Sequence, residues 1–175
     1  MRDVTDSVPD PAGSALVAEA IRKAAVAWVA VDARPAVALW CLPLDDALYV
    51  VTGPGEQAAP GLAEARTAEV TLRGDHGGRI VTWSAEVTRL TPESPEWTTV
   101  APQLAAKRLN ASGSPAEVAR RWAADGCAVN RLAPAGPVIA AGPTLPDDSL
   151  AAPPRATPAV RRTPRPFRLH RVRRR

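Results

Sequence analysis

The chain has 175 residues, of which 46% are hydrophobic and 23% are charged. This length and composition predict roughly one globular domain with tails. The two cysteines lie far apart without a CxxC spacing, which argues against a disulfide-stapled secreted scaffold. No apolar run approaches the roughly 18 residues that a membrane helix needs. The N-terminus lacks a signal-peptide pattern, so we expect a soluble cytoplasmic protein.

The formal net charge of +4 is unevenly distributed along the chain. Residues 155–175 contain nine arginines and no acid, which leaves 13 basic residues against 18 acidic ones in residues 1–154. This tail could bind nucleic acid or another polyanion, remain a solvated extension, or dock on the acidic body through residues 167–172. The arginines proposed for polyanion binding are Arg161, Arg162, Arg165, Arg168, Arg171, Arg173, Arg174 and Arg175.

Sequence patterns divide the chain into a flexible arm at residues 1–13, a folded domain at 14–133 and a Pro/Arg-rich tail without a fixed core at 134–175. Ser14 is the predicted N-cap of a first helix, which ends near Ala25. Three predicted strands follow, at residues 26–31, 36–42 and 47–52. The third stops at Gly53-Pro54-Gly55, a sequence that breaks strand geometry.

Pro60 suits the start of a short helix at residues 61–66, which leads into a strand at 68–73, a hairpin loop at 74–78 and a long strand at 79–90. Two helices follow, opened by Ser94-Pro95 and Ser114-Pro115. Pro102 is expected to kink or split the first, and a capping box from Ser114 to Glu117 begins the second. With a last strand at 127–133, this order predicts an α+β fold, a small antiparallel split β-barrel with flanking helices.

Several positions give this order a family likeness. Arg34-Pro35 forms a turn before the second strand, Thr52 ends the third, and Leu62 and Val70 follow at matching positions without gaps. Residues 14–133 thereby resemble the pyridoxamine 5'-phosphate oxidase family, the flavin reductase-like FMN-binding split barrel. The resemblance implies a homodimer that builds its cofactor site across two subunits, an FMN or F420 cofactor, and oxidoreductase activity.

The loop after the third strand departs from that family, in which a basic pair usually meets the flavin phosphate. Here the two positions hold Gln57 and Ala58. The backbone amides of Gly53 and Gly55, with the Thr52 hydroxyl, could still bind an anion because glycine lets the main chain approach closely. The alternative is that Gly53-Pro54-Gly55 is only a turn.

Two aromatic residues and one cation complete the candidate cofactor site. Trp40 and Trp83 could stack on an isoalloxazine or deazaflavin ring, or could simply pack in the core. Arg73 at a strand edge could replace the missing phosphate partner, or could lie on a solvated face. His76 stands in a Gly-rich loop without cysteines at a metal-ligand spacing, so no metal site is predicted.

Two functions remain open from the sequence. The first is a flavin- or deazaflavin-binding oxidoreductase-like protein with Trp40, Thr52, Gly53, Gly55, Gln57, Arg73 and Trp83 at its cofactor site. The second is a non-catalytic split-barrel binding protein that acts through its Arg-rich tail.

Overall fold

A computed structural model of the chain describes residues 11–74 and 77–145. The Arg-rich segment, His76 and most of the predicted N-terminal arm lie outside the described residues. Within them, the helices are α1 (Pro11–Lys23), α2 (Pro95–Lys107) and α3 (Pro115–Ala124), followed by a single 3-10 turn at Gly142–Thr144. The strands are β1 (Val26–Ala30), β2 (Val37–Trp40), β3 (Leu42–Leu44), β4 (Ala47–Thr52), β5 (Thr67–Arg73), β6 (Arg79–Leu90) and β7 (Ala128–Ala141).

All seven strands belong to one antiparallel sheet in the order β2-β1-β5-β6-β7-β4-β3. The two outermost strands, β2 and β3, are separated in the chain by Cys41 alone, so the sheet curls until its ends meet there. The result is a nearly closed barrel with flanking helices. The predicted α+β split β-barrel is confirmed.

The apolar side chains form two clusters on opposite sides of the sheet. Val17 and Ile21 of α1 pack with the interior residues of the barrel, among them Val50 of β4. Val51, the next residue of β4, faces the other way and packs against α2 and α3 through Trp97 and other residues. All six residues of β4 are therefore buried, which explains its continuous apolar sequence.

The folded region begins earlier in the chain and ends later than the sequence predicted. Helix α1 begins at Pro11 rather than after a Ser14 cap, because the fixed φ of proline suits the first turn of a helix. Strand β7 continues to Ala141 instead of ending at 133, since the long strand β6 needs a partner as far as Val81. The residues from Pro134 to Ala141 thus extend the sheet, although their composition predicted a tail.

Two further local predictions are wrong. Residues 60–64 form successive turns instead of a short helix, with isolated bonds such as Leu62 N–H to the Ala59 carbonyl at 3.1 Å. Gly61, at φ +86, interrupts the helical backbone. Pro102 does not split α2, because the adjacent buried residues Ala101 and Leu104 hold the helix against the barrel.

Candidate functional site

A cavity of about 990 Å³ lies where the end of α1, strands β2 and β3, the loop after β4 and the end of α2 meet. We call it the Trp40 cavity. Its apolar wall includes Val26, the half-buried Trp40 and Leu42, and its polar wall includes Gln57 and Lys107. Three of the residues predicted for a cofactor site therefore lie together here: Trp40, Gly55 and Gln57.

The side chain of Gln57 is engaged by the sheet. Its Oε1 accepts a hydrogen bond from the Trp40 backbone N–H at 2.8 Å, and its Nε2 donates to the Ala38 carbonyl at 2.9 Å. Because β2 is an outermost strand, these backbone groups lack a neighbouring strand on that side. Gln57 thus supplies the hydrogen bonds of a missing strand.

The neighbouring residue, Glu56, holds the same loop to the helices. Its side chain is only 6% exposed, and Oε1 accepts hydrogen bonds from Arg108 Nε at 2.6 Å and Trp122 Nε1 at 2.8 Å. Arg108 also donates from Nη2 to the Gly55 carbonyl at 3.0 Å. A buried carboxylate requires such partners, so this group fixes the loop between β4 and the turns that follow.

Sequence reasoning missed Glu56 and Arg108, since the two residues are 52 positions apart and match no motif. Their contacts also determine which cation at the Trp40 cavity is available to a ligand. Arg108 is committed to Glu56 and Gly55, whereas exposed Lys107 makes no ion pair within residues 11–74 and 77–145. Lys107 is therefore the cation of this cavity with an ammonium group available to a ligand.

Thr52 and Gly53 lie in close-packed surroundings and not on an open surface. Thr52 is 5% exposed at the end of β4. Gly53 adopts φ +135, and a Cβ added there would lie 2.9 Å from the Cα of Cys127. A side chain at this position would clash with the backbone of Cys127, the residue before β7, so close packing accounts for the glycine.

The remaining two predicted cofactor residues lie away from the Trp40 cavity. Arg73 places its guanidinium carbon 4.5 Å from the ring centre of Trp28, a cation–π contact, and donates to the Gly77 carbonyl at 3.4 Å. Trp83 is 1% exposed in the barrel interior and borders a different cavity. Within one chain, the seven predicted residues therefore do not all line the same cavity.

Neither cysteine has the properties of an activated thiol. Burial raises the pKa of Cys41, which lines the Trp40 cavity, to about 12. Burial, and then the negative charges of Glu56 and Asp125, raise the pKa of Cys127. Both thiols are therefore protonated at neutral pH and lack the thiolate that nucleophilic chemistry requires.

Metal-binding clusters and membrane-spanning helices are both missing from the described part of the chain. No group of three His, Cys, Asp or Glu residues there could hold a metal ion. None of its helices is long and apolar enough to cross a membrane.

Comparison with known proteins identifies the fold. No protein-family model and no curated protein matches the chain. Among solved structures, the heme storage protein HutZ from Vibrio cholerae is similar with a TM-score of 0.51 and 14% identity, over 71% of this chain and 91% of that one. A "Putative Pyridoxamine 5'-phosphate oxidase" from Listeria innocua gives a TM-score of 0.48 and 11% identity, over 72% and 97%. The chain is a split-barrel protein, and the predicted resemblance is confirmed as one of fold.

Proposed function

We propose that the Trp40 cavity binds a planar, anionic cofactor of the flavin or deazaflavin type, FMN or F420, in an oxidoreductase-like protein. The observation that carries this proposal is the combination, in one cavity of about 990 Å³, of an apolar wall around Trp40 and the available ammonium group of Lys107. Cofactor pockets are typically concave, mostly apolar and about 300–1,000 Å³ in volume, with few polar groups that orient the ligand.

The residues that line the Trp40 cavity suit the ring of such a cofactor better than its phosphate. Val26, Trp40 and Leu42 provide apolar surface for a planar ring system, and Lys107 provides one charge for an acidic group. Gln57 and Arg108, by contrast, are held by protein partners. A bound flavin or deazaflavin would supply the redox chemistry, while the protein would position it and exclude water.

An absorption spectrum of the purified protein, followed by titration with FMN, riboflavin and F420, tests this proposal. We expect saturable binding, with FMN favoured over riboflavin through Lys107. A charge-assisted contact contributes roughly 1.5–3 kcal/mol, so Lys107→Ala should weaken FMN binding about 10-fold to 100-fold. Lys23→Ala, which alters the other lysine of the chain outside the cavity lining, is the matched control. A colourless protein that binds none of the three at high micromolar concentration overturns the proposal.

We also propose that the protein is a homodimer in which a second copy covers the Trp40 cavity. Val26 and Leu109 on its lining are 48% and 84% exposed, an unusual state for large apolar side chains beside a cavity. Light scattering should give twice the chain mass of 18.4 kDa. Leu109→Glu should shift the protein to monomer, and a monomeric wild-type protein would refute the dimer.

A second candidate function rests on the nine arginines of residues 155–175. We propose that this segment binds nucleic acid or another polyanion. Binding of duplex DNA should weaken with salt by a log–log slope of about −0.9 per neutralised phosphate. A form that ends at Pro154 should lose both the affinity and the slope. Equal DNA affinity of the full chain and the shortened form, with no dependence on salt, would exclude this function.

A further inference from the structure

The turn between β1 and β2 contains Arg34, the cation of the Arg34-Pro35 pair in the sequence. Asp32 and Ala33 have left-handed backbone angles, with φ +49 and +57, and the Arg34 backbone N–H donates to the Val31 carbonyl at 3.0 Å. These are the features of a tight two-residue hairpin turn. The turn fixes the point at which the Arg34 side chain leaves the backbone.

The Arg34 side chain reaches the loop that follows β4. Its Nη1 donates to the Pro60 carbonyl at 2.9 Å. A Cβ added to Gly61 would lie 2.8 Å from that Nη1 and 3.7 Å from Cγ1 of Val31. Gly61, at φ +86, therefore leaves the space that the guanidinium occupies, between the loop and an apolar side chain of the barrel interior.

A cavity of about 290 Å³ lies between this turn and the loop, and we call it the Arg34 cavity. Arg34 is its one lining residue with a charged or polar side chain. The other lining residues are all apolar: Val29, Val31, Pro35, Val37, Ala59 and Pro60. The three valines and the alanine belong to the interior cluster of the barrel or pack against it. The cavity therefore lies at one end of the apolar interior, with a guanidinium beside it.

The charge of Arg34 has no counter-ion in the described chain. The side chain forms no ion pair there, not even with Asp32 of the same turn. Its Nη1 is bound to the Pro60 carbonyl, which leaves Nε and Nη2 as donors for a ligand. Two parallel N–H groups of a guanidinium match the two oxygens of a carboxylate. A carboxylate is therefore the group that this donor pair suits.

We propose that the Arg34 cavity binds a small monocarboxylate with an apolar tail, such as a short-chain fatty acid. The carboxylate would accept hydrogen bonds from Nε and Nη2 of Arg34, and the tail would lie against Val31 and Val37. The volume is near the lower end of the roughly 300–1,000 Å³ typical of ligand pockets, so the ligand is small. This cavity shares no lining residue with the Trp40 cavity, and the proposal does not depend on a cofactor there.

Calorimetric titration of the full chain with hexanoate, hexanamide and acetate tests the proposal. Hexanamide lacks the negative charge and acetate lacks the tail, so we expect each to bind at least about 10-fold more weakly than hexanoate. Arg34→Gln should weaken hexanoate binding by a similar factor, and Arg34→Lys should restore only part of it, because an ammonium group lacks the planar fork. Arg120→Gln, at an exposed arginine of α3 outside the lining, is the matched control.

Ala59→Leu retains Arg34 but places a larger apolar side chain on the lining, so it should also weaken hexanoate binding. Thermal melting checks that each variant folds. No saturable binding of hexanoate at millimolar concentration, or unchanged affinity in Arg34→Gln, overturns the proposal. Binding that is weakened by Lys107→Ala and not by Arg34→Gln would assign hexanoate to the Trp40 cavity, and it overturns the proposal as well.

Discussion

The backbone N–H of Trp40 donates to the side-chain Oε1 of Gln57 across 2.8 Å, so a loop side chain takes the place of a neighbouring strand. Gln57→Ala removes this bond and the one to the Ala38 carbonyl. Each net hydrogen bond contributes about 0.5–1.5 kcal/mol, so we expect a loss of about 1–3 kcal/mol in the free energy of unfolding, measured in urea.

Gln103→Ala is the control for this substitution. Its Nε2 donates to the Thr99 carbonyl on the exposed face of α2, and its loss should change stability by less than about 0.5 kcal/mol. Equal effects of the two substitutions would mean that Gln57 does not hold the edge of β2.

The ion pair between Glu56 and Arg108 should be strongly coupled. Removal of one partner leaves the other charge buried or half-buried, and such losses cost about 3–5 kcal/mol. We expect Glu56→Gln and Arg108→Met each to destabilise the protein by about 3 kcal/mol. The double variant should lose much less stability than the sum of the two single losses. Urea denaturation of the four proteins measures this coupling.

The exposed pair of Glu19 and Lys23 is the control for that cycle. Exposed ion pairs couple weakly, and the Glu19→Gln, Lys23→Met cycle should be additive. Additive losses at Glu56 and Arg108 would contradict a buried, mutually dependent pair.

The capping box of α3 should make stability depend on pH. Hydrogen bonds from the Ser114 backbone and hydroxyl lower the pKa of Glu117 below its ordinary value of 4.5. A lowered folded-state pKa stabilises the protein above the ordinary value, and the gain is lost as the pH falls through the folded value. Glu117→Gln should therefore be less stable than wild type near neutrality, with a difference that shrinks below about pH 4.5.

Thermal melts of both proteins across this pH range measure the difference. Glu64→Gln, at an exposed carboxylate that accepts no hydrogen bond within the described chain, is the control. A difference between wild type and Glu117→Gln that grows with acidity would contradict a lowered pKa for Glu117 in the folded protein.

Both thiols should resist modification in the folded protein. Burial raises the pKa of Cys41 to about 12 and also raises that of Cys127, so neither provides thiolate at neutral pH. A chromogenic disulfide reagent should label neither residue in buffer and both in denaturant. Cys41→Ala and Cys127→Ala identify the residue responsible if one thiol reacts rapidly, a result that would contradict the burial of that side chain.

Local signals predicted most of the elements. The capping box at Ser114 begins α3, and the alternation around Val81 and Trp83 identifies β6, because both patterns depend on residues close in the chain. The Pro-rich segment after Ala133 misled the prediction. This segment is a strand because it pairs with β6, which lies far away in the chain. The local sequence of β7 does not show how long β6 is.

The candidate site was less predictable for a related reason. Trp40, Gly55 and Gln57 do meet at one cavity, but the partners of Gln57 are backbone groups of β2, which sequence does not reveal. Glu56 and Arg108 gave no signal, since a loop acid and a residue after a helix are ordinary separately. The bulge of β7 around Gly136 likewise arises from its pairing register with β6, which no local pattern shows.

The pairing of β4 with β7, in which Val50 lies opposite Asn130, has a consequence for synthesis on the ribosome. Strand β4 is buried on both faces in the finished barrel, yet its partner emerges about 80 residues later. Until then the nascent chain exposes an apolar strand that is paired with β3 on one side only, and such an open edge is the kind of segment that aggregates. Truncated chains that stop before β7 should therefore accumulate as insoluble fragments, and the barrel should form only after its last strand has been translated.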